Sequence, residues 1–382
     1  MKATLLLGSG VSYHSGIPKI EEITNEILYA KNIGKYNLNY LYEGRYGFKV
    51  NPHYNYYTVQ CQELIKMVKA EIAYFTKHIS YNHSVNYEDI YYVLWQIYNS
   101  YYKDYENPAL FRAMQYLFEQ SGLTLDDFKE SLKETLSYIE SIVWQRIDIK
   151  IETCKQYDII SDLSSILEIN AICTLNHDLV LDKWLENNKI DFDDGFSLLD
   201  SKFPEWQGFD PNYSKLKICK LHGSVNWYEV RVIKPITSDK ILKIPNHVYC
   251  DSLSEIDENI LASNKELPEL LIGTFNKMWG YLSGIFEHQY DEFKKSLAVS
   301  ELLLVSGYGF GDKGINTRLT FWLANSKSKK LIIIHPSKSE LIENARGSFH
   351  LHILGERFQN PKVEIIEMKF EDVSVDDITK CI

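Results

Sequence analysis

Apolar and polar positions follow two different periods along this chain, and the places where they switch mark out its organisation. Residues 3–7 form a short apolar run that Gly8 ends at once, the pattern of a strand buried on both faces. After Pro18 the spacing becomes helical: Ile20, Ile23, Ile27 and Leu28 predict a helix behind the glycine turn. From Ile166 the strand pattern returns, at 169–174, 216–221, 302–306, 331–334 and 363–366, each run short, mostly apolar and rich in β-branched residues. The intervening segments are long enough for crossover helices. The economical fold is therefore α/β, a doubly wound, mainly parallel, Rossmann-like sheet. Residues 226–270, with Pro235, Pro245 and an SLSEIDEN run, are less regular and read as an excursion from that sheet.

Between the first strand and the rest, residues 31–150 have a different character. Sixteen of the 27 tyrosines fall between Tyr36 and Tyr105. Cys61, Leu64, Ile65, Val68, Ile72 and Phe75 mark one amphipathic helix. Asn86 with Asp89, and Thr124 with Asp127, resemble helix caps before further apolar stripes. This is the reading of an inserted helical subdomain, with residues 1–30 and 151–382 forming the sheet domain. The tyrosines serve either as a partner surface or as helix-core residues with their hydroxyls at the rim.

Composition narrows the classes. A net charge of −11 argues against a general nucleic-acid surface. No apolar run is long enough for a membrane span or a signal peptide, which predicts a cytoplasmic protein. The six cysteines, Cys61, Cys154, Cys173, Cys219, Cys250 and Cys381, are scattered without a C-x-x-C pair, so neither a disulfide framework nor a zinc site is expected.

Candidate chemistry sits at the strand ends. Gly8, Ser9, Gly10 and Ser12 make a small-residue turn where backbone N–H groups approach a phosphate that a Cβ would exclude. Gly16-Ile17-Pro18 closes a second turn, so the spacing Gly8, Gly10, Gly16 only approximates the dinucleotide fingerprint. The next strand ends in Thr174-Leu175-Asn176-His177-Asp178, and the one after in Leu221-His222-Gly223-Ser224. Further on come Gly307-Tyr308-Gly309-Phe310-Gly311-Asp312 with Ile315-Asn316, then His335-Pro336-Ser337. Singly, Asn176 reads as a helix cap, His222 as a core histidine and 307–311 as a turn. Together they deliver polar tips to the strand edge where open α/β sheets bind ligands.

These motifs resemble those of the sirtuin-like, silent-information-regulator family, in its divergent bacterial anti-phage branch. GSGVSYHSGIP is similar to the family's G-A-G-x-S…G-I-P loop, TLNHD to its T-Q-N-x-D, and KLHGS carries its His-Gly. VSGYGFGDKGIN resembles the G-T/Y-S-F-x-D…N loop of the divergent branch. The resemblance covers residues 1–30 and 165–345. It departs at Lys19-Ile20, where deacetylases carry Phe-Arg, and in lacking the four-cysteine zinc module, of which only Cys250 lies in the matching region.

The resemblance implies NAD as substrate, no zinc, and cleavage of the nicotinamide–ribose bond by an NAD glycohydrolase that depletes NAD in anti-phage defence. It implies that Gly8, Ser9 and Gly10 cradle the pyrophosphate through backbone N–H groups, with Ser12, Gly16 and Pro18 in the same loop. Gly307, Gly309, Asp312 and the His335-Pro336 tip fall on the adenosine side, and Asn316 is a further cofactor-binding residue. Asn176 and Asp178 would hold the nicotinamide ribose, Asn176 orienting the attacking water, with His222 as general base. His177 is expected to face away, since adjacent side chains of an extended segment alternate. The alternatives are an NAD-dependent deacylase or ADP-ribosyltransferase, and a non-catalytic subunit sensing NAD or ADP-ribose. A homo-oligomer is expected, with a HerA-type DNA-translocating ATPase as partner.

Overall fold

The structure, a computed structural model, describes residues 1–51, 55–78, 84–101, 110–199, 201–212, 216–233, 237–246, 248, 253–263, 265–354 and 360–382. It divides into two compact units. One comprises Met1–Ile17, Asp148–Leu271 and Lys277–Ile382; the other comprises Pro18–Ile147 and Ile272–Asn276.

The first unit is built on a seven-stranded sheet. Its strands are β1 (Lys2–Leu7), β2 (Glu168–Thr174), β3 (Phe192–Asp193), β4 (Leu216–Lys220), β5 (Leu302–Ser306), β6 (Lys330–Ile334) and β7 (Val363–Ile366). The spatial order is β7-β6-β5-β1-β2-β4-β3 and every pairing is parallel, which makes β1 the centre. Strand alternation sorts the side chains of β1 onto two cores. Ala3, Leu5 and Leu7 join Leu163, Trp184 and Ile378 on one face, while Leu6 joins Phe293, Leu319 and Trp322 on the other. Burial on both faces explains why these strands read as unbroken apolar runs. The sequence reading missed β3, whose two residues are too few to give a period.

The stretch expected to be irregular is in fact a second sheet. Trp227–Val232, Ser238–Lys243 and Ile260–Ser263 pair antiparallel with one another and with the short strands Glu205–Trp206 and Phe196–Ser197. Trp227–Val232 carries Glu229 and Arg231 among its buried residues, and Ser238–Lys243 is mostly half-buried with Asp239, Lys240 and Lys243, so these strands lack the apolar signature of the main sheet. Pro235 lies outside the described residues.

The second unit contains the helices Ile20–Tyr29, Asn55–His78, Tyr87–Tyr101, Leu110–Ser121 and Leu125–Ile147. The Ile20–Tyr29 helix packs with these helices, so this unit begins at Pro18 and not after residue 30. It also holds a hairpin, Ile33–Tyr36 with Asn39–Tyr42. Both expected caps form: Asn86 Oδ1 accepts from the Glu88 amide at 2.9 Å, and Thr124 Oγ1 accepts from the Asp127 amide at 3.3 Å. Several tyrosines are buried or half-buried, and their hydroxyls donate to carboxylates within the unit. Tyr40 Oη reaches Glu134 Oε2 at 2.8 Å, Tyr91 Oη reaches Glu140 Oε1 at 2.6 Å, and Tyr42 Oη reaches Glu26 Oε1 at 2.9 Å. Tyr56 and Tyr74 are exposed, as is Phe75, which the helical spacing placed in the core.

Candidate active site

The tips of β1, β2, β4 and β5 meet at one edge of the main sheet. After β1 the chain enters a 3₁₀ turn, Ser9–Ser15, that ends on Gly16 in the left-handed region. The Gly8 amide donates to Ser306 O at 2.9 Å and the Gly10 amide to Gly307 O at 3.0 Å. A Cβ on Gly8 would meet Gly307 O at 2.5 Å, and one on Gly10 would meet Gly307 Cα at 2.7 Å. These glycines therefore let two backbones lie against each other. The N–H groups of Gly8 and Gly10 serve that contact, so they do not form the free anion cradle expected of them.

Asn176, just past β2, is buried. Its Nδ2 donates to Gly8 O at 3.1 Å and to Ser12 Oγ at 3.0 Å, and its amide donates to Thr174 Oγ1 at 3.0 Å. A carbonyl can only accept, which fixes the amide orientation and turns Oδ1 the other way. Asn176 Oδ1 is buried and has no hydrogen-bond partner among the described residues. Buried polar atoms without partners are rare, and such an acceptor suits the hydroxyl of a bound molecule or a held water. Ser12 is fully buried beneath it.

Asp178 lies just ahead of the helix Val180–Asn187, its Oδ1 accepting from the Val180 amide at 2.9 Å. Burial pushes its carboxyl up, against the opposing pull of that amide, of Lys220 and of the Ser12 hydroxyl. Lys220, at the end of β4, lies under this loop. Its Nζ donates to Asp178 O and to Asp182 Oδ2, both at 2.8 Å. A charged residue closing an apolar strand was a visible signal, and the sequence reading passed over it.

His177 does not turn away from the other site residues. Its ring centroid lies 6.0 Å from that of His222, and its Nδ1 is buried without a partner among the described residues. Burial first, then the charges of His222, Lys277 and Lys220, holds this imidazole well below its usual range, so it is neutral.

His222, past β4, is buried too, and its Nε2 lies 2.7 Å from Tyr281 Oη and 3.2 Å from Asp312 Oδ2. Tyr281 Oη in turn donates to Asp312 Oδ2 at 2.8 Å. Asp312 Oδ1 caps the Lys313–Ala324 helix by accepting from the Ile315 amide at 3.0 Å. Burial raises this carboxyl, but the bond to and charge of His222, with Lys277 and the Ile315 amide, outweigh it and bring it down to about 2. Asp312 was expected on the adenosine side. Both its oxygens are instead engaged, one on the helix and one on His222. Tyr281 was missed because it lies in a loop with no glycine motif or strand end to mark it.

Other expected residues do scaffolding work here. Asn316 Nδ2 donates to Phe310 O at 2.7 Å, and its Oδ1 accepts from Tyr308 Oη at 2.8 Å, which leaves it holding the 307–312 loop and not facing a ligand. His335 Nδ1 lies 2.7 Å from Ser337 O, folding the β6 tip onto itself. Gly307 has φ +66°, and a Cβ there would meet Val11 N at 2.5 Å, whereas one on Gly309 would meet nothing within 4 Å. Pro18 is the first residue of the other unit. Among the described residues no group of three or more His, Cys, Asp or Glu side chains is placed to hold a metal ion; Cys250 lies outside them.

Residues 170–354 match the family model described as the SIR2-like domain. The chain carries a sirtuin-like domain. The match takes in the tips bearing Asn176, His222, Asp312 and His335; β1 and its glycine turn lie outside it. A search of curated proteins returned no match. Similar solved structures include a Sir2 homologue–NAD complex at 13% identity, covering 100% of this chain and 89% of that one, with a TM-score of 0.39. Sir2 bound to acetylated peptide is 11% identical over 99% of this chain and 92% of that one, with a TM-score of 0.38. A complex of Sir2 homologue mutants with 2′-O-acetyl ADP ribose is 9% identical over 100% and 91%, with a TM-score of 0.40. In this sirtuin-like domain, Asn176 and His222 are thus delivered by neighbouring strands to one buried edge, each held by its own partners.

Proposed function

We propose that this protein binds NAD and cleaves its nicotinamide–ribose bond with water, releasing nicotinamide and ADP-ribose. The observation that carries the reading is Asn176 Oδ1, a buried acceptor with no partner among the described residues, on a side chain whose other end is pinned by Gly8 O and Ser12 Oγ. A pinned acceptor can hold the attacking water or a ribose hydroxyl in line without reorganising during the reaction. Bond cleavage builds positive charge on the ribose, and a fixed amide oxygen in a dry setting stabilises it better than bulk water does. His222 is the general base of this reading, taking a proton from the water or from a ribose hydroxyl. Gln156 Oε1, buried and without a partner among the described residues beside the Ser9–Ser15 turn, is a second acceptor at the same loop.

In a bacterial cell this chemistry would deplete NAD, as an anti-phage effector does, and such an activity needs restraint until triggered. We therefore retain a homo-oligomer and a HerA-type ATPase as the assembly in which it is switched on, and the cytoplasm as its place. The test is chromatographic detection of nicotinamide released from NAD by the purified full chain at high enzyme concentration, with and without an acetylated peptide. Release without peptide supports hydrolysis. Release only with peptide assigns deacylation instead, and no release in either arm, with the HerA-type ATPase added as well as without it, removes catalysis from the account.

A further inference from the structure

His222, Tyr281 and Asp312 form a closed triangle of hydrogen bonds, and the triangle has one consistent arrangement of protons. Asp312 is buried and ionised, so both its oxygens only accept; Oδ1 is taken by the Ile315 amide, and Oδ2 faces Tyr281 Oη at 2.8 Å and His222 Nε2 at 3.2 Å. Tyr281 has one proton, and the carboxylate is the stronger acceptor, so the phenol donates to Oδ2 and offers its oxygen's lone pair to His222 at 2.7 Å. Nε2 then faces two acceptors. Placing the proton on Nδ1 would set the Nε2 lone pair against the carboxylate oxygen at 3.2 Å, a repulsive contact in a buried setting.

We propose that Tyr281 and Asp312 are positioning residues that hold His222 with its proton on Nε2, so that Nδ1 carries the ring's lone pair and is the nitrogen that takes the proton during the reaction. The proposal rests on the general-base role given to His222 above. The sheet makes the clamp rigid from several sides. His222 leaves β4, Tyr281 precedes the Gly284–Val299 helix and is stacked on Tyr290 with ring centroids 4.6 Å apart, and Asp312 is the cap of the Lys313–Ala324 helix. All three side chains are buried. Three separate elements thus converge on one ring nitrogen, which is more than satisfying a core histidine requires.

The test is the tautomer of His222, read in the full chain by nitrogen NMR with histidine-selective ¹⁵N labelling and assigned with a His222→Gln sample. The wild type is expected to show the Nε2–H form near neutral pH. Asp312→Asn keeps an acceptor for the helix cap but puts an N–H donor opposite Nε2, so the ring should convert to Nδ1–H. By the precedent of a buried aspartate orienting a catalytic histidine, nicotinamide release should then fall roughly 10³- to 10⁴-fold. Tyr281→Phe keeps the ring packing and the carboxylate, so the Nε2–H form should persist with a loss of about tenfold, the worth of one hydrogen bond. A wild-type Nδ1–H signal, or an Asp312→Asn variant that keeps both the tautomer and the rate, would overturn the clamp. The NMR arm needs no turnover. A wild-type Nε2–H signal that converts in Asp312→Asn, in a protein that releases no nicotinamide, would support the clamp and sink the NAD reading alone.

Discussion

Replacing Gly8 with alanine tests whether the glycines at the head of the site serve backbone packing. Gly8 has φ −110° and ψ −177°, an extended conformation open to any residue, so no backbone strain enters. The whole cost is steric. The new methyl would lie 2.5 Å from Gly307 O, 2.8 Å from Tyr308 Cα and 2.9 Å from Gly307 C, and backbone cannot swing aside as a side chain can. Overpacking of this kind costs about 1–3 kcal/mol, and contacts this short belong at the upper end. A loss of about 3 kcal/mol is about 150-fold in an opening equilibrium. Hydrogen exchange of peptides covering β1 and β5, strands joined by these loops, should accelerate by that order. Gly309→Ala is the control: its methyl would meet nothing within 4 Å and its φ is not left-handed, so exchange should change no more than about twofold. Equal exchange in Gly8→Ala and wild type would refute the packing argument.

Three further outcomes follow from buried ionisable groups. His177 is neutral when folded and protonates on unfolding below its ordinary pKa, so the stability this provides is full above about pH 6.5 and is lost as pH falls, by up to about 1.4 kcal/mol per pH unit. His177→Gln should therefore lose less stability than wild type between pH 7 and pH 5 in urea titrations; parallel curves would count against it. Lys220→Met removes the buried partner of Asp182 and of Asp178 O and should destabilise by about 3 kcal/mol, read as a lower urea midpoint at unchanged slope. Tyr91→Glu would remove a buried hydroxyl that donates to Glu140 and set two carboxylates together, so the helical unit should lose stability by about 3 kcal/mol or more in thermal scans, whereas the surface reading of Tyr91 predicts no change.

The parts legible from sequence were those where a single physical cause dominates. Strands buried on both faces announce themselves as apolar runs, and helix caps carry fixed spacing, so six of the seven strands of the main sheet and the caps at Asn86 and Thr124 could be placed. The second sheet could not, because half-buried charged strands such as Ser238–Lys243 look like loop. At the site, Asn176 and His222 were found through the tips they end, but their supports were not. Tyr281 comes from a loop some sixty residues beyond His222 in the chain, and only the fold shows that it meets that ring. Asp312 and Asn316 were seen as ligand contacts, since a polar residue beside glycines reads the same whether it faces a substrate or braces the loop. Gly8 and Gly10 show the same ambiguity: a glycine admits close approach, and sequence does not say of what.

The central claim is that Asn176 supports NAD cleavage from a folded site, and the direct measurement is nicotinamide release by Asn176→Ala beside wild type under identical conditions. The substitution removes the buried acceptor Oδ1 and also the two bonds from Nδ2, so its folding is checked by the urea midpoint in the same samples. The account predicts that the variant stays folded while release falls at least about 100-fold, the scale of a lost transition-state contact of about 2.7 kcal/mol or more. A folded Asn176→Ala protein that keeps more than about a tenth of the wild-type rate would contradict it.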